Sequence, residues 1–325
     1  MSACSVKKQS KQLQHYAGEY VEYIRYEKAR SENTIRAYTQ DLNCFNIFLI
    51  SKECQFSEFT DELILFYIRY LREKQQLKPA TVRRRVLTLQ SFCDWLVNKD
   101  HLVSSPFDDL TLDLTVPKRL PRPVDPLLIR KLVSISHLPS DELLMENPKW
   151  SNSTRSSQKQ TTLLILQLIL TTGIRVGEVS SIRIRDISTD GSTIHILGKG
   201  NKERLVYIEN KGVATALSQY RQERATNASN DNSLFINIRG NELTPQVIRK
   251  RVKSICSELG TSERPTPHRF RHSAATLLIE YGVDMRIVQR LLGHASISTT
   301  ELYTQVTDVS LREALRKADV LRNFS

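Results

Sequence analysis

Residues 264–278 read RPTPHRFRHSAATLL, and this segment decides how the rest of the chain is interpreted. His268, Arg271 and His272 stand at the start of a predicted helix whose following turns carry alanine and leucine, which is typical of a buried face. A charged side chain on a buried helix costs free energy unless an oppositely charged group pairs with it. The segment therefore predicts an interior helix that presents basic groups to an acidic partner.

The size and charge of the chain agree with such a partner. Its 325 residues exceed the usual size of one domain, so two domains are expected. The formal net charge is +12 and the isoelectric point is near 9.5, and most of the basic excess lies after residue 125. A basic excess of this kind favours a polyanion as the binding partner.

Other features of the composition exclude several classes of protein. The five cysteines are scattered without a CxxC pair, which is typical of reduced thiols in a reducing compartment. The longest apolar stretch, residues 163–170, is too short to span a bilayer and is interrupted by Gln167. Residues 1–14 lack the apolar core of a signal peptide. We therefore expect a soluble cytoplasmic protein with no membrane association.

The first part of the chain shows only helical periodicity, with apolar residues three and four positions apart. Helices are predicted at residues 31–50, 60–74 and 78–97. Ser31 is a suitable N-cap for the first of them, and Pro79 suits the first turn of the last. The pattern predicts a compact all-α domain over residues 11–110.

Three consecutive arginines, Arg83, Arg84 and Arg85, lie on the last of these helices. Three adjacent residues cover almost a full helical turn, so at least one of them should face outward. They form either an ordinary solvated face or a set of contacts to nucleic-acid phosphates. These two interpretations stay open at the level of the sequence.

A proline-rich stretch separates this domain from the rest of the chain. Proline fixes φ and removes a hydrogen-bond donor, so we predict an extended linker over residues 111–125 and a second domain over 126–325. In the second domain, residues 141–160 are polar and predict a surface loop or a flexible insert. Two short β-rich runs, Thr193–Leu197 and Arg204–Ile208, flank a Gly/Lys/Asn turn and predict a hairpin. The other elements are predicted to be helices, at about residues 211–226, 244–259, 267–281, 284–292, 296–303 and 310–322.

Basic sites follow one another along this second domain. Arg175 comes after an apolar helix and a TTG turn, Lys199 lies at the hairpin tip, and His268 and Arg271 form an H-x-x-R motif. His294 ends the sequence LLGH, and Tyr303 follows nine residues later. Each motif alone is weak, because a histidine or an arginine at such a spacing often arises by chance. Their order and local context together favour one shared site.

Four segments resemble the catalytic motifs of the tyrosine recombinases, and most closely those of bacterial Xer-like recombinases and phage-type integrases. They are TTGIRVGEV, GKGNKERLV, HRFRHSAATLL and LLGHASISTTELYTQV. The resemblance extends from about Ser31 to Val306, interrupted mainly by the insert at 141–160. It implies a mainly α fold in which a SAM-like core-binding domain and a mainly helical catalytic domain with a small sheet close around DNA.

The resemblance also implies roles for individual residues. The positions that match the catalytic residues of the family are Arg175, Lys199, His268, Arg271, His294 and Tyr303. Tyr303 matches the nucleophile, which becomes joined to a 3′-phosphate of DNA. Glu178 matches a supporting acidic residue. Lys202 competes with Lys199 for the part of the hairpin lysine, and it is otherwise a candidate for DNA binding.

The chemistry of strand transfer fits these residue types independently. Two guanidinium groups offer rigid, permanently charged donors to the non-bridging oxygens of a phosphate, which gain negative charge in the transition state. A phenol needs its target polarised before it attacks, and the departing 5′-oxygen needs a proton from a general acid such as lysine. The phosphotyrosine bond conserves energy, so no ATP is needed. The sequence has neither a P-loop nor metal-ligand spacing, and we expect no metal and no cofactor.

These observations together predict a site-specific DNA recombinase that acts as a homotetramer on two double-stranded DNA sites, in the cytoplasm at the nucleoid. The biological task (integration or excision of a mobile element, or resolution of cointegrates or chromosome dimers) stays open, as does the need for a second recombinase or an accessory protein. The alternatives are a type IB topoisomerase-like relaxing enzyme and a DNA-binding protein that has lost catalysis. The helix at 310–322 either folds onto its own domain or, as the family suggests, docks on a neighbouring protomer.

Overall fold

The computed structural model describes residues 3–52, 59–116, 122–136, 155–198, 203–226, 232–292 and 308–324. The chain forms two compact units, Met1–Arg119 and Leu120–Ser325. The division falls inside the segment that the sequence marks as a linker. The predicted fold class is confirmed, because the described elements are helices apart from one small antiparallel sheet.

The first unit consists of helices. They are α1 (Ala3–Tyr26), α2 (Glu32–Ser51), α3 (Asp61–Arg69), which continues into a π-helical turn (Tyr70–Lys74), and α4 (Pro79–Asn98). The predicted N-cap at Ser31 is confirmed, since its hydroxyl oxygen accepts the Thr34 N–H at 3.4 Å. Thr60 caps α3 in the same way by accepting the Leu63 N–H at 3.3 Å. Side-chain capping therefore fixes where two of the helices begin.

Aromatic side chains fill the core of the first unit. Phe45, Phe48 and Tyr67 are almost fully buried, and the Tyr67 ring lies 4.8 Å from that of Phe45 and 4.9 Å from that of Phe48. Tyr20 joins α1 to α4 by donating its hydroxyl to Ser91 at 2.8 Å. Large rings of this kind bury much apolar area, which stabilises a small helical unit.

The second unit places a short hairpin among helices. Its elements are α5 (Pro126–Ser134), α6 (Arg155–Thr172), α7 (Val176–Ser181), a 3₁₀ turn (Ile184–Asp186), β1 (Thr193–Leu197), β2 (Glu203–Tyr207), α8 (Lys211–Thr226), α9 (Pro245–Glu258), α10 (Pro267–Glu280), α11 (Met285–Leu292), α12 (Asp308–Ala318) and a second 3₁₀ turn (Arg322–Phe324). The second strand was predicted one residue too late, because Glu203 pairs with Leu197 at its start. The predicted helix at 296–303 and most of the insert at 141–160 lie outside the described residues.

Helix α6 lies at the centre of the second unit. Residues 161–170 are buried on every side of the helix, as expected of an apolar helix without a polar face. Gln167, which interrupts the apolar run, donates its side-chain N–H to the Ser136 hydroxyl at 2.8 Å, so the buried amide nitrogen is paired. Helix α10 packs against α6. None of the helices in the described part of the chain has the length and apolar character needed to cross a membrane.

Helix α12 folds onto its own unit. Leu311 and Leu315 are buried in the same core as the other helices of that unit, and so is the residue that ends the helix, Ala318. On the polar side, the Arg312 guanidinium donates to Glu209 at 2.6 Å and lies over the Tyr207 ring. Of the two arrangements that the sequence left open, the structure shows docking in cis.

We expect Leu315→Ala to lower the free energy of unfolding of the dilute monomer by about 2–5 kcal/mol, because it removes a buried side chain from a packed core. Lys317→Ala, at an exposed position of the same helix, should change it by less than about 0.5 kcal/mol. Urea unfolding measured at a concentration where the protein is monomeric gives both values. Equal stability of the two variants would contradict docking in cis.

Candidate active site

Arg175 stands at the junction between α6 and α7. Helix α6 ends at Thr172, and Gly173 follows with a φ of +64°, a left-handed conformation that glycine adopts without strain. The chain then turns, and Arg175 becomes the N-cap residue of α7 with extended backbone angles. The TTG turn of the sequence is therefore a helix end that directs Arg175 out of the buried helix.

Glu178 holds Arg175 in place from one turn further along α7. Its Oε2 accepts the backbone N–H of Arg175 at 2.8 Å, and its Oε1 accepts an N–H of the Arg175 guanidinium at 3.0 Å. The Glu178 side chain is only 9% exposed, whereas that of Arg175 is 43% exposed. The predicted supporting acid thus orients an arginine that reaches the surface.

Arg271 is the buried basic residue of the α10 segment, and it is 6% exposed. Its guanidinium donates to the backbone carbonyl of Gly173, just past the end of α6, and to that of Leu292, at the end of α11. The carbonyl ends of helices carry partial negative charge, which stabilises a buried cation. The bond to Gly173 connects Arg271 to the turn that carries Arg175, and the bond to Leu292 connects it to α11.

His268 lies in the first turn of α10, where it is exposed. It precedes Arg271 by three residues, a spacing that places two side chains on the same face of a helix. Helix α10 therefore presents an exposed histidine beside a buried arginine. This arrangement explains the segment 264–278. The buried Arg271 is paired with backbone carbonyl groups inside the protein, whereas His268 remains at the surface.

The site contains more positive than negative charge. Burial, together with the neighbouring charges of Arg175 and Arg204 and opposed by Glu178, lowers the pKa of Arg271 to about 10. The guanidinium still carries its charge at neutral pH. Burial raises the pKa of Glu178, but the hydrogen bonds from Arg204 and Arg175 outweigh it and hold the pKa below its usual value. One carboxylate therefore faces three guanidinium groups, an excess of positive charge that suits an anionic ligand.

Sequence reasoning missed Arg204 as a member of this cluster. Its guanidinium donates to both oxygens of Glu178, at 2.9 and 2.8 Å. A signal was available, because the alternation of β2 puts Arg204 on the same side as the buried Val206, opposite Ile196. An arginine on the inward face of a strand requires a buried partner.

The structure does not describe the remaining predicted residues of the site. Lys199, Lys202, His294 and Tyr303 lie outside the described residues. Within the described part of the chain, no group of three His, Cys, Asp or Glu side chains could hold a metal ion. Among the described residues, the site therefore consists of Arg175, Glu178, Arg204, Arg271 and His268.

The three consecutive arginines of α4 belong to the first unit. Arg84 donates to the buried carboxylate of Asp41, which also accepts the Thr88 hydroxyl at 3.1 Å. The Nε of Arg85 lies 3.7 Å from the other oxygen of Asp41. Arg83 and Arg84 are exposed, and Arg85 is half-buried. The sequence predicted that at least one of the three arginines faces outward, and two of them, Arg83 and Arg84, do so.

Gly173 supplies one of the two carbonyl groups that bind Arg271, and it packs against Leu292, which supplies the other. A Cβ at this position would lie 2.7 Å from Cδ2 of Leu292, and the backbone would be strained at its positive φ. We expect Gly173→Ala to lower the free energy of unfolding by at least about 1–2 kcal/mol. Gly177→Ala is the matched control, because its Cβ would meet no atom within 4 Å and alanine favours the helix α7. Urea unfolding of both variants checks this, and similar midpoints would contradict it.

Comparison with known proteins gives the family. The model of the phage integrase family matches residues 142–309, and that of the phage integrase N-terminal SAM-like domain matches residues 17–100. The first match covers the residues from Arg175 to Tyr303, and the second covers the C-terminal part of α1 and the helices α2 to α4. The two matches fall in different compact units of the structure.

Relatives of similar length match almost the whole chain. The chain is 31% identical over 315 residues to a tyrosine recombinase of Agathobacter rectalis, covering 96% of this chain and 98% of the relative. It is 34% identical over 313 residues to the tyrosine recombinase XerC of Oceanobacillus iheyensis, covering 94% of this chain and 96% of the relative.

The fold is also that of solved recombinases. The structure of the XerH site-specific recombinase bound to a palindromic difH substrate matches with a TM-score of 0.64 and 21% identity, covering 97% of this chain and 83% of that one. The Tn1549 transposon integrase in complex with transposon right end DNA matches with a TM-score of 0.62 and 18% identity, covering 93% and 98%. The chain therefore belongs to the phage integrase family and is a tyrosine recombinase, an enzyme of site-specific recombination.

Proposed function

We propose that Arg175 and Arg271 bind the scissile phosphate of double-stranded DNA during strand cleavage. The observation that carries the proposal is the excess of positive charge around Glu178, to which the buried Arg271 belongs. A guanidinium fixed by main-chain carbonyls does not need to reorganise when charge develops on the phosphate, and such preorganisation is a main source of catalysis. Arg175, which is partly exposed, supplies a second donor from the start of α7.

In the proposed reaction the phenolic oxygen of Tyr303 forms a bond to phosphorus while the bond to the 5′-oxygen breaks. The phenolic proton passes to a histidine, for which His268 and His294 are the candidates. The departing 5′-oxygen takes a proton from Lys199, which follows β1 by two residues in the sequence. The 3′-phosphotyrosine then reacts with the 5′-hydroxyl of another strand by the reverse steps, without ATP.

His294 is supported by its position in the sequence. It follows Leu292 by two residues, and the carbonyl of Leu292 accepts a hydrogen bond from Arg271. A histidine so close along the chain to the ligand of a phosphate-binding arginine is well suited to contact the same phosphate. Glu178 takes no part in proton transfer in this proposal, because its low pKa keeps it ionised and bonded to arginines.

We further propose that DNA contacts both units and that four protomers act on two DNA sites. In the first unit, Arg83 and Arg84 are the candidate phosphate contacts, because both are exposed on α4. The Arg85 side chain points inward, towards the carboxylate of Asp41, so it is not a candidate phosphate contact. Structural relatives captured with DNA support a DNA partner. The relatives described above are named as recombinases or integrases, so they give no support to the alternative of a DNA-relaxing topoisomerase.

The covalent step is tested with a nicked suicide DNA that carries the recombination site. We expect the wild-type protein to form an adduct that resists denaturant, and Tyr303→Phe to form none, because the substitution removes only the attacking oxygen. Gel electrophoresis after denaturation detects the adduct. Tyr281→Phe is the control, since Tyr281 lies in the same unit and outside the proposed chemistry, and it should react normally. An adduct of undiminished yield in Tyr303→Phe would reject the assignment.

Arg175 is tested by separating cleavage from binding. Removal of one preorganised donor to a developing anion costs about 10²–10³ in rate, so we expect Arg175→Ala to slow single-turnover cleavage by that factor. Site affinity, measured by electrophoretic mobility shift, should change little because many other contacts hold the DNA. Arg185→Ala, at a highly exposed arginine of the same unit, is the control. Normal cleavage by Arg175→Ala at saturating DNA would remove Arg175 from the site.

A further inference from the structure

Arg204 and Glu178 form a closed ion pair between β2 and α7. The two N–H···O bonds of 2.9 and 2.8 Å use both Nη atoms of Arg204 and both oxygens of Glu178. Both partners are largely buried, with 21% of the Arg204 side chain and 9% of the Glu178 side chain exposed. A paired geometry of this kind is stronger and more directional than a single contact to lysine would be.

The same carboxylate also holds Arg175. Oε1 of Glu178 accepts from the guanidinium groups of both Arg175 and Arg204, while Oε2 accepts from the Arg175 backbone and from Arg204. Any shift of Glu178 would therefore move Arg175. Since Arg204 supplies two of the four bonds and comes from a separate element, it decides where the carboxylate rests.

Arg204 also affects the balance of charge around Glu178. Glu178 carries one negative charge, and without Arg204 that charge would offset Arg175. With Arg204 present, the carboxylate is balanced by a residue on β2, and the charges of Arg175 and Arg271 remain available for a phosphate. A buried carboxylate that lost its main partner would also draw Arg175 inward.

We propose that Arg204 is a positioning residue of the recombinase, which acts through Glu178 to hold Arg175 in its phosphate-binding orientation and to leave its charge available. Arg204 is the second residue of β2, so the same ion pair fixes the start of this strand relative to α7. The inference rests on the proposed function of Arg175 and adds a residue that touches neither DNA nor the nucleophile.

The test compares Arg204→Met, Arg204→Lys, Glu178→Gln and the double variant Arg204→Met/Glu178→Gln. Each is assayed for site affinity, for single-turnover cleavage of nicked suicide DNA at saturation, and for urea unfolding. We expect Arg204→Met to cleave about 10²-fold more slowly, a loss like that of a catalytic donor. Its site affinity should stay within about twofold of the wild type. Arg204→Lys should restore part of the rate, because it keeps the charge and loses the paired geometry.

The double variant separates positioning from direct contact. If Arg204 acts only through Glu178, its loss should cost little once Glu178 is uncharged, and the double variant should cleave within about twofold of Glu178→Gln. If Arg204 touched the phosphate, the double variant would be slower than Glu178→Gln by a further factor of about 10². That outcome would overturn the proposal.

Two further outcomes are decisive. A folded Arg204→Met that cleaves at the wild-type rate would reject the proposal, and if that variant does not fold, a wild-type rate for Arg204→Lys would reject it instead. The control is Arg221→Met, whose half-buried guanidinium donates to the Ile184 carbonyl and should leave cleavage unchanged. Arg175→Ala, assayed in parallel, distinguishes failure of the proposed function from failure of the role of Arg204. A normal rate there would remove the proposed function itself, whereas a loss there with a normal rate in Arg204→Met would remove only the role of Arg204.

Discussion

The buried guanidinium of Arg271 is the constraint on which the geometry of this site depends. It lies in the interior of the second unit and is bonded to main-chain carbonyls past α6 and at the end of α11. The cost of burying a cation is offset by these bonds and by the negative ends of the two helices. Because carbonyl groups hold Arg271, its position follows from where the helices end, and the left-handed Gly173 sets one of those ends.

A second constraint is electrostatic. Arg175, Arg204 and Arg271 surround one carboxylate, and like charges lower the pKa of Arg271 in addition to burial. Such repulsion destabilises the free protein to a small extent, and a bound anion would relieve it. A site built in this way is prepared for negative charge before the ligand arrives, which is what electrostatic catalysis requires. Under the proposed function, stability and phosphate binding therefore make opposite demands on the same residues.

The first unit uses a similar device at a different place. The carboxylate of Asp41 is 2% exposed, one of its oxygens accepts a hydrogen bond from Arg84, and Nε of Arg85 lies 3.7 Å from the other. In both units a buried acid on one helix bonds an arginine that reaches the surface, Arg84 in the first unit and Arg175 in the second. An arginine side chain otherwise has many rotamers, so fixing it in advance lowers the entropy that is lost on binding a phosphate.

The sequence by itself determined the mainly helical fold, the hairpin, several helix starts and the family motifs, because periodicity, capping residues and turn residues act over a few neighbouring positions. It also determined which residue types the site contains, since the motifs of Arg175, Glu178, His268 and Arg271 are local. Only the tertiary structure decided that Arg204 shares Glu178, 26 positions away, and that Arg271 bonds to Gly173, 98 positions away. The docking of α12 in cis was equally undetermined, because an amphipathic helix has the same pattern whichever surface covers it. Pairing between distant segments depends on how the helices pack, and local patterns carry no record of that packing.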